Sequence, residues 1–174
     1  MSDRILSCTA ALAEALHEEM SRDETIFIIG EDLTAHAGVF GQFEGIFENF
    51  PDRIIDTPIS ETAIAGVGLG SALTGMRPFV DLHFSDFVTC CMDEITNQTA
   101  KIRYMFGGQV NVPMVIWCPD GAGLRAAAQH SQSLEAWFVH TPGLKVVVPS
   151  EPAYVIGLIM SAIRDDDPVI FFST

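Results

Sequence analysis

One carboxylate, Glu61, stands at the mouth of a small-residue helix in the stretch DTPISETAIAGVGLG (56–70), directly after a turn built on Pro58 and Ser60. Ser60 is placed to cap that helix, since its hydroxyl can accept from the first free backbone N–H groups. Gly66, Gly68 and Gly70 recur inside it, where each glycine costs about 1 kcal/mol against alanine. Such a cost is tolerated where another backbone or a flat ligand must approach closely. An acid favoured by the helix dipole, on a helix pressed against a sheet, explains the same residues. Both readings stay open on local grounds.

Two further groups could carry chemistry. His130 lies in AAAQHSQSLEAWF, at the end of a Gly/Ala-rich loop before a helix. A histidine there can exchange protons near neutral pH, or can hydrogen-bond and position its loop. In HFSDF (83–87) aromatic rings follow a strand. Phe84 and Phe87 are three apart, so one is expected to face the core and the other a cleft.

The elements that must position these residues alternate. A helix occupies the first twenty residues, with Ile5, Cys8, Leu12 and Leu16 at near-helical spacing. Strands are expected at Thr25–Asp32, Arg53–Ile55, Pro78–Phe84, Met114–Cys118, Lys145–Val148 and Pro168–Phe172, several of them short continuous apolar runs. Helices are expected after Ser60, as one long element over Asp86–Met105, around Ser133–His140 and over Glu151–Arg164. This order predicts an α/β fold, a mostly parallel sheet with helices on both faces. Ligands of such sheets sit beyond the carboxyl ends of the strands. The loops expected there are GEDLTAHAG, HFSDF and the segment before His130. No internal repeat appears, and the chain stops directly after VIFFST, which suggests a fragment or one piece of a larger assembly.

Composition excludes several classes. With 174 residues the chain can bury one core, and 9 basic against 23 acidic residues give a formal charge of −14. Nucleic acid would be repelled, and an anionic cofactor would need a local basic, metal-assisted or backbone site. No apolar run approaches a membrane span and no signal or transit peptide is evident, which predicts a soluble, cytoplasmic protein with no membrane partner. Cys8, Cys90, Cys91 and Cys118 form no CxxC pair and sit among apolar neighbours, so each is expected to be a small buried hydrophobe. His17, His36, His83, His130 and His140 lack metal-ligand spacing, and no metal site is expected in this chain. There is no GxSxG, no GxGxxG and no Walker A sequence.

The order of these segments carries a resemblance. GEDL, DTPISETAIAGVGLGSALTGMRP, FSDF, DEITNQTAKIRYMFGG, AAAQHSQSLEAWFVHTPGLKVVVPS and IRDDDPVIFF resemble the pyrimidine-binding, transketolase-like half of the E1 component β subunit of thiamine diphosphate-dependent 2-oxo acid dehydrogenases. The resemblance spans essentially all of 1–174 and is similar to the pyruvate, acetoin and branched-chain members. It implies one pyrimidine-binding domain, with the family's C-terminal transketolase-type domain absent from this sequence. It also implies that Glu61 hydrogen-bonds N1′ of the aminopyrimidine and promotes its imino tautomer, which removes the C2 proton. Ile59 and Phe87 would contact the same ring, Phe87 standing where many relatives carry tyrosine. His130 would face the substrate and assist acyl transfer to lipoyl groups, and Glu31 would lie near the cofactor interface.

The resemblance places the Mg and diphosphate site on an E1 α subunit, consistent with the lack of such a motif here. The implied partners are that α subunit, a second β subunit within a heterotetramer, and a lipoyl acyltransferase. A chain supplying only the pyrimidine side is expected to be inactive alone. Two other readings are compatible with the residues: a non-catalytic interaction module or truncated fragment that keeps the fold, and a transketolase or deoxyxylulose-phosphate synthase relative. HSQSLEAWF fits the dehydrogenase β subunits better than the latter.

Overall fold

The computed structural model describes residues 5–35 and 37–173. The helices are α1 (Cys8–Arg22), α2 (Ile46–Asn49), α3 (Glu61–Leu73), α4 (Ile102–Met105), α5 (Glu135–Val139) and α6 (Pro152–Arg164). The strands are β1 (Ile26–Gly30), β2 (Ile54–Asp56), β3 (Arg77–Asp81), β4 (Val115–Pro119), β5 (Lys145–Val147) and β6 (Val169–Ser173). All six form one sheet in the order β2-β1-β3-β4-β6-β5, and its neighbouring strands run parallel. The expected α/β architecture is the one observed.

Every residue of β1, β4 and β6 is buried, which explains their continuous apolar runs: both faces are covered. Ile26, Ile28, Val115, Trp117, Val169 and Phe171 join α1 and α6 on one side. Phe27, Ile29, Ile116, Cys118, Ile170 and Phe172 join α3 and Phe138 of α5 on the other. Helix α1 starts where the Ser7 hydroxyl accepts from the Ala10 N–H at 3.1 Å, and it packs Leu12, Ala15 and Leu16 inward. Its buried Glu19 pairs with Arg22 of the same helix and Arg164 of α6, tying the two helices together. No helix among the described residues is long and apolar enough to cross a membrane.

Three expectations are corrected. The single long helix over 86–105 is instead a 3-10 segment (Ser85–Cys91), a π-helical segment (Asp93–Thr99) and the short α4. Polar side chains compete for its backbone: the Thr89 and Thr96 hydroxyls donate to the carbonyls of Asp86 and Met92. Cys90 is exposed and Cys8 only half-buried, so burial holds for Cys91 and Cys118 alone. Burial pushes the Cys91 thiol up to about 12, which leaves it inert. Ser60 does precede α3, but its side chain makes no capping bond; its carbonyl accepts from the Ile64 N–H at 2.9 Å. Positions 1–4 of the expected first helix, and His36, lie outside the described residues.

Candidate active site

The chain leaves β1 toward β2 on one side and returns as β3 on the other. Loops diverge there, at the carboxyl ends of β1 and β3, the place where parallel sheets of this kind take their ligands. Gly30 ends β1 because nothing larger fits: a Cβ would stand 2.9 Å from the Asp81 carbonyl oxygen of β3. The chain then delivers Glu31 from β1, Asp81 and His83 from β3, and Glu61 as the first residue of α3.

Glu31 is only 9 % exposed, and its Oε2 has no hydrogen-bond partner. Burial raises its pKa above the ordinary carboxylate value, opposed by the nearby charge of His83 and reinforced by Glu61, Asp32 and Asp81. Glu31 and Glu61 therefore lie within electrostatic reach of each other. His83, 4 % exposed, has left-handed backbone (φ 64°). The His83 backbone N–H donates to Asp81 Oδ1 at 2.7 Å, and the Gln42 side-chain amide donates to Asp81 Oδ2 at 3.1 Å. Nδ1 of His83 lies 3.6 Å from Asp81 Oδ2, a charge contact too long for a direct hydrogen bond. Burial lowers the His83 pKa, but Asp81, Glu31 and Asp32 outweigh it and the net direction is upward.

His130 packs edge-on against two rings, with centroids 4.8 Å from Phe84 and 5.3 Å from Phe87. Phe84 and Phe87 also touch each other at 5.6 Å. They share one side of the chain, contrary to the core-and-cleft expectation, because Phe84 opens a 3-10 segment, where residues three apart eclipse. A side-chain clamp holds the His130 loop in place. The Ser85 hydroxyl donates to the Gln132 carbonyl at 2.9 Å, and the Gln132 amide donates to Asp86 Oδ1 at 2.5 Å. Within the loop, the Ser131 hydroxyl accepts from the Ala126 N–H at 2.8 Å.

Glu31 and Glu61 thus face one another electrostatically, and Phe87 and His130 are in contact. Ile59 stands apart: it is 76 % exposed, projecting into solvent before Glu61. Of the α3 glycines only Gly68 is forced by the sheet, where a Cβ would meet Val80 Cγ2 at 2.6 Å. Gly70 meets nothing within 4 Å. Sequence reasoning missed Asp81, Gln42, Asp86 and Gln132, and counted His83 only among histidines without metal-ligand spacing and within an aromatic motif. The carboxylate two residues before His83, on the same expected strand end, was the available signal.

A parallel sheet with acidic and aromatic side chains gathered at its switch point has the layout of a ligand-binding α/β domain. Residues 5–174 match the family described as the transketolase pyrimidine-binding domain, and the chain belongs to that family. It is 49 % identical to the β subunit of an acetoin:2,6-dichlorophenolindophenol oxidoreductase of Cupriavidus necator, across 97 % of this chain and 53 % of the relative. It is 44 % identical to a 2-oxoisovalerate dehydrogenase β subunit of Bacillus subtilis (97 % and 52 % covered). It is 46 % identical to a pyruvate dehydrogenase E1 β subunit of Rickettsia conorii (92 % and 50 %). The chain spans about half the length of these relatives. A split-gene transketolase, solved as an inactive β4 tetramer, shares the fold with TM-score 0.77 at 22 % identity, over 96 % of this chain and 51 % of that one.

Proposed function

We propose that this domain is the pyrimidine-binding part of a thiamine diphosphate-dependent E1 dehydrogenase β subunit acting on a 2-oxo acid or acetoin. A partner α subunit would supply the Mg and diphosphate site. The observation that carries the reading is the buried, unpartnered Oε2 of Glu31, within electrostatic reach of Glu61. Buried polar atoms nearly always have partners, so an orphan here fits a site completed by a polar ligand. The residues suit an aminopyrimidine: Glu61 to hold its ring nitrogen, Phe87 to pack on its face, and Ile59, now exposed, to be covered.

When bound, the cofactor would supply a carbon nucleophile and, in its cationic ring, an electron sink for cleavage beside a carbonyl. The chain's own part is proton control and orientation. Glu61 is placed to hydrogen-bond the ring nitrogen, and Glu31 adds a second carboxyl within its electrostatic reach. His130, braced by Phe84 and Phe87, is oriented to exchange a proton with substrate during acyl transfer to a lipoyl group of an acyltransferase.

The test is reconstitution. The chain, extended to full β-subunit length and mixed with its α subunit, should bind thiamine diphosphate in calorimetry. Binding that is absent in this assembly would instead favour an interaction module that keeps only the fold.

A further inference from the structure

Glu31, Gln42, Asp81 and His83 gather at the carboxyl ends of β1 and β3, and His83 is a base that the proposed function does not use. His83 is buried on a left-handed turn immediately past β3. Asp81 from its own strand faces its Nδ1 at 3.6 Å. β1 pairs with β3 with Ile29 opposite Val80, so Glu31 emerges beside this turn. Gln42 closes the other side by donating to Asp81. Neither ring nitrogen of His83 is hydrogen-bonded, and neither is Glu31 Oε2.

We propose that His83 is a positioning residue that carries a proton as an imidazolium between Asp81 and Glu31, and so sets the charge of Glu31 opposite Glu61. A neutral imidazole would leave two buried carboxylates of neighbouring strands without a counter-charge, an arrangement that low-dielectric surroundings penalise strongly. The charges that act on the ring are those of acids: Asp81 from β3, in contact with it, and Glu31 and Asp32 following β1. Their direction agrees, since these acids overcome burial to raise the affinity of His83 for its proton. The positive φ is itself informative, because a non-glycine residue in that conformation is uncommon and held there by its surroundings.

The proton on His83 stands independently of the cofactor. Only the consequence for Glu61 rests on the thiamine diphosphate reading. The deciding experiment therefore uses the chain without cofactor: histidine-ring and carboxyl NMR titrations, with assignments made by substitution.

His83 is expected to titrate above the ordinary histidine value of 6.5. In Glu31→Gln its midpoint should fall by about half a pH unit or more, as for loss of a near charge. In His83→Asn, where asparagine also accepts a positive φ, the Glu31 carboxyl should titrate at higher pH than in the unsubstituted chain. A His83 midpoint at or below 6.5, or one unmoved by Glu31→Gln, overturns the proposal. Should a variant fail to fold, the titration of the unsubstituted chain decides alone. A purely structural role for His83 would move stability and leave these midpoints where they were. Failure of the thiamine diphosphate reading would appear separately, as lost cofactor binding with the titrations intact.

Discussion

The imidazole of His130 meets the ring of Phe84 edge-on, with centroids 4.8 Å apart and planes at 84°. Phe84 is carried by the turn after β3 and His130 by the loop before α5, so the pair joins two loops distant in sequence. An edge-on contact of this kind fixes ring orientation. In the role proposed for His130, that packing would give the ring a defined direction, which a free loop histidine would lack.

His130→Ala in the assembled enzyme should therefore separate the two half-reactions. Decarboxylation read with an artificial electron acceptor should stay within about tenfold, while acyl transfer to lipoyl domains falls by about a hundredfold or more. Equal losses in both assays would assign His130 a purely structural part.

The clamp under His130 predicts an effect at one remove. Gln132→Ala strips Asp86 of its amide donor, and Asp86 is buried with its other oxygen already unpartnered. Loss of about 1–3 kcal/mol is expected in denaturant unfolding. Acyl transfer should fall with it, with decarboxylation less affected. Ser85→Ala removes a single neutral bond and should cost only about 0.5–1.5 kcal/mol.

Two glycines of α3 should respond in opposite directions. Gly68→Ala drives a methyl into Val80 and Met114, and such overpacking costs about 1–3 kcal/mol. Gly70→Ala enters open space and should stabilise the isolated domain by about 1 kcal/mol through helix propensity. Thermal unfolding reads both. If Gly70→Ala stabilises the domain yet weakens association with the α subunit, the exposed face of α3 lies in that interface.

Acid should unfold the domain through its paired carboxylates. Burial raises the pKa of Glu19, but hydrogen bonds and charges from Arg164 and Arg22 outweigh it and hold it below the ordinary 4.5. Burial likewise opposes, and the Thr34 and Leu33 donors then win, at Asp56. A group depressed in the folded state adds stability above its unfolded pKa and loses it as pH falls through the folded value. The contribution of Glu19 and Asp56 should thus be flat from neutrality to about pH 5 and be lost below the ordinary carboxylate range. Glu19→Gln should flatten part of that drop in an acid-unfolding curve.

The fold was legible because strands buried on both faces must be continuously apolar, and β1, β4 and β6 are. Glu61 was legible because a helix start shows in local residues. The stretch 86–105 was misread as one helix, since Thr89 and Thr96 choose between backbone and helix only once their neighbours are placed. The His83 cluster was hidden for a different reason. Glu31 and Asp81 lie fifty residues apart, and only the parallel β1–β3 register brings them together. The clamp from Ser85 and Asp86 to Gln132 is non-local in the same way.

The central claim is that Glu61 holds the proton that activates an aminopyrimidine. It is tested most directly by Glu61→Gln in the full-length β subunit assembled with its α subunit, with folding and cofactor binding checked by circular dichroism and calorimetry. The account predicts an assembly that still binds thiamine diphosphate and loses cofactor-dependent turnover by about a hundred- to ten-thousandfold. Turnover equal to that of the unsubstituted enzyme would contradict it.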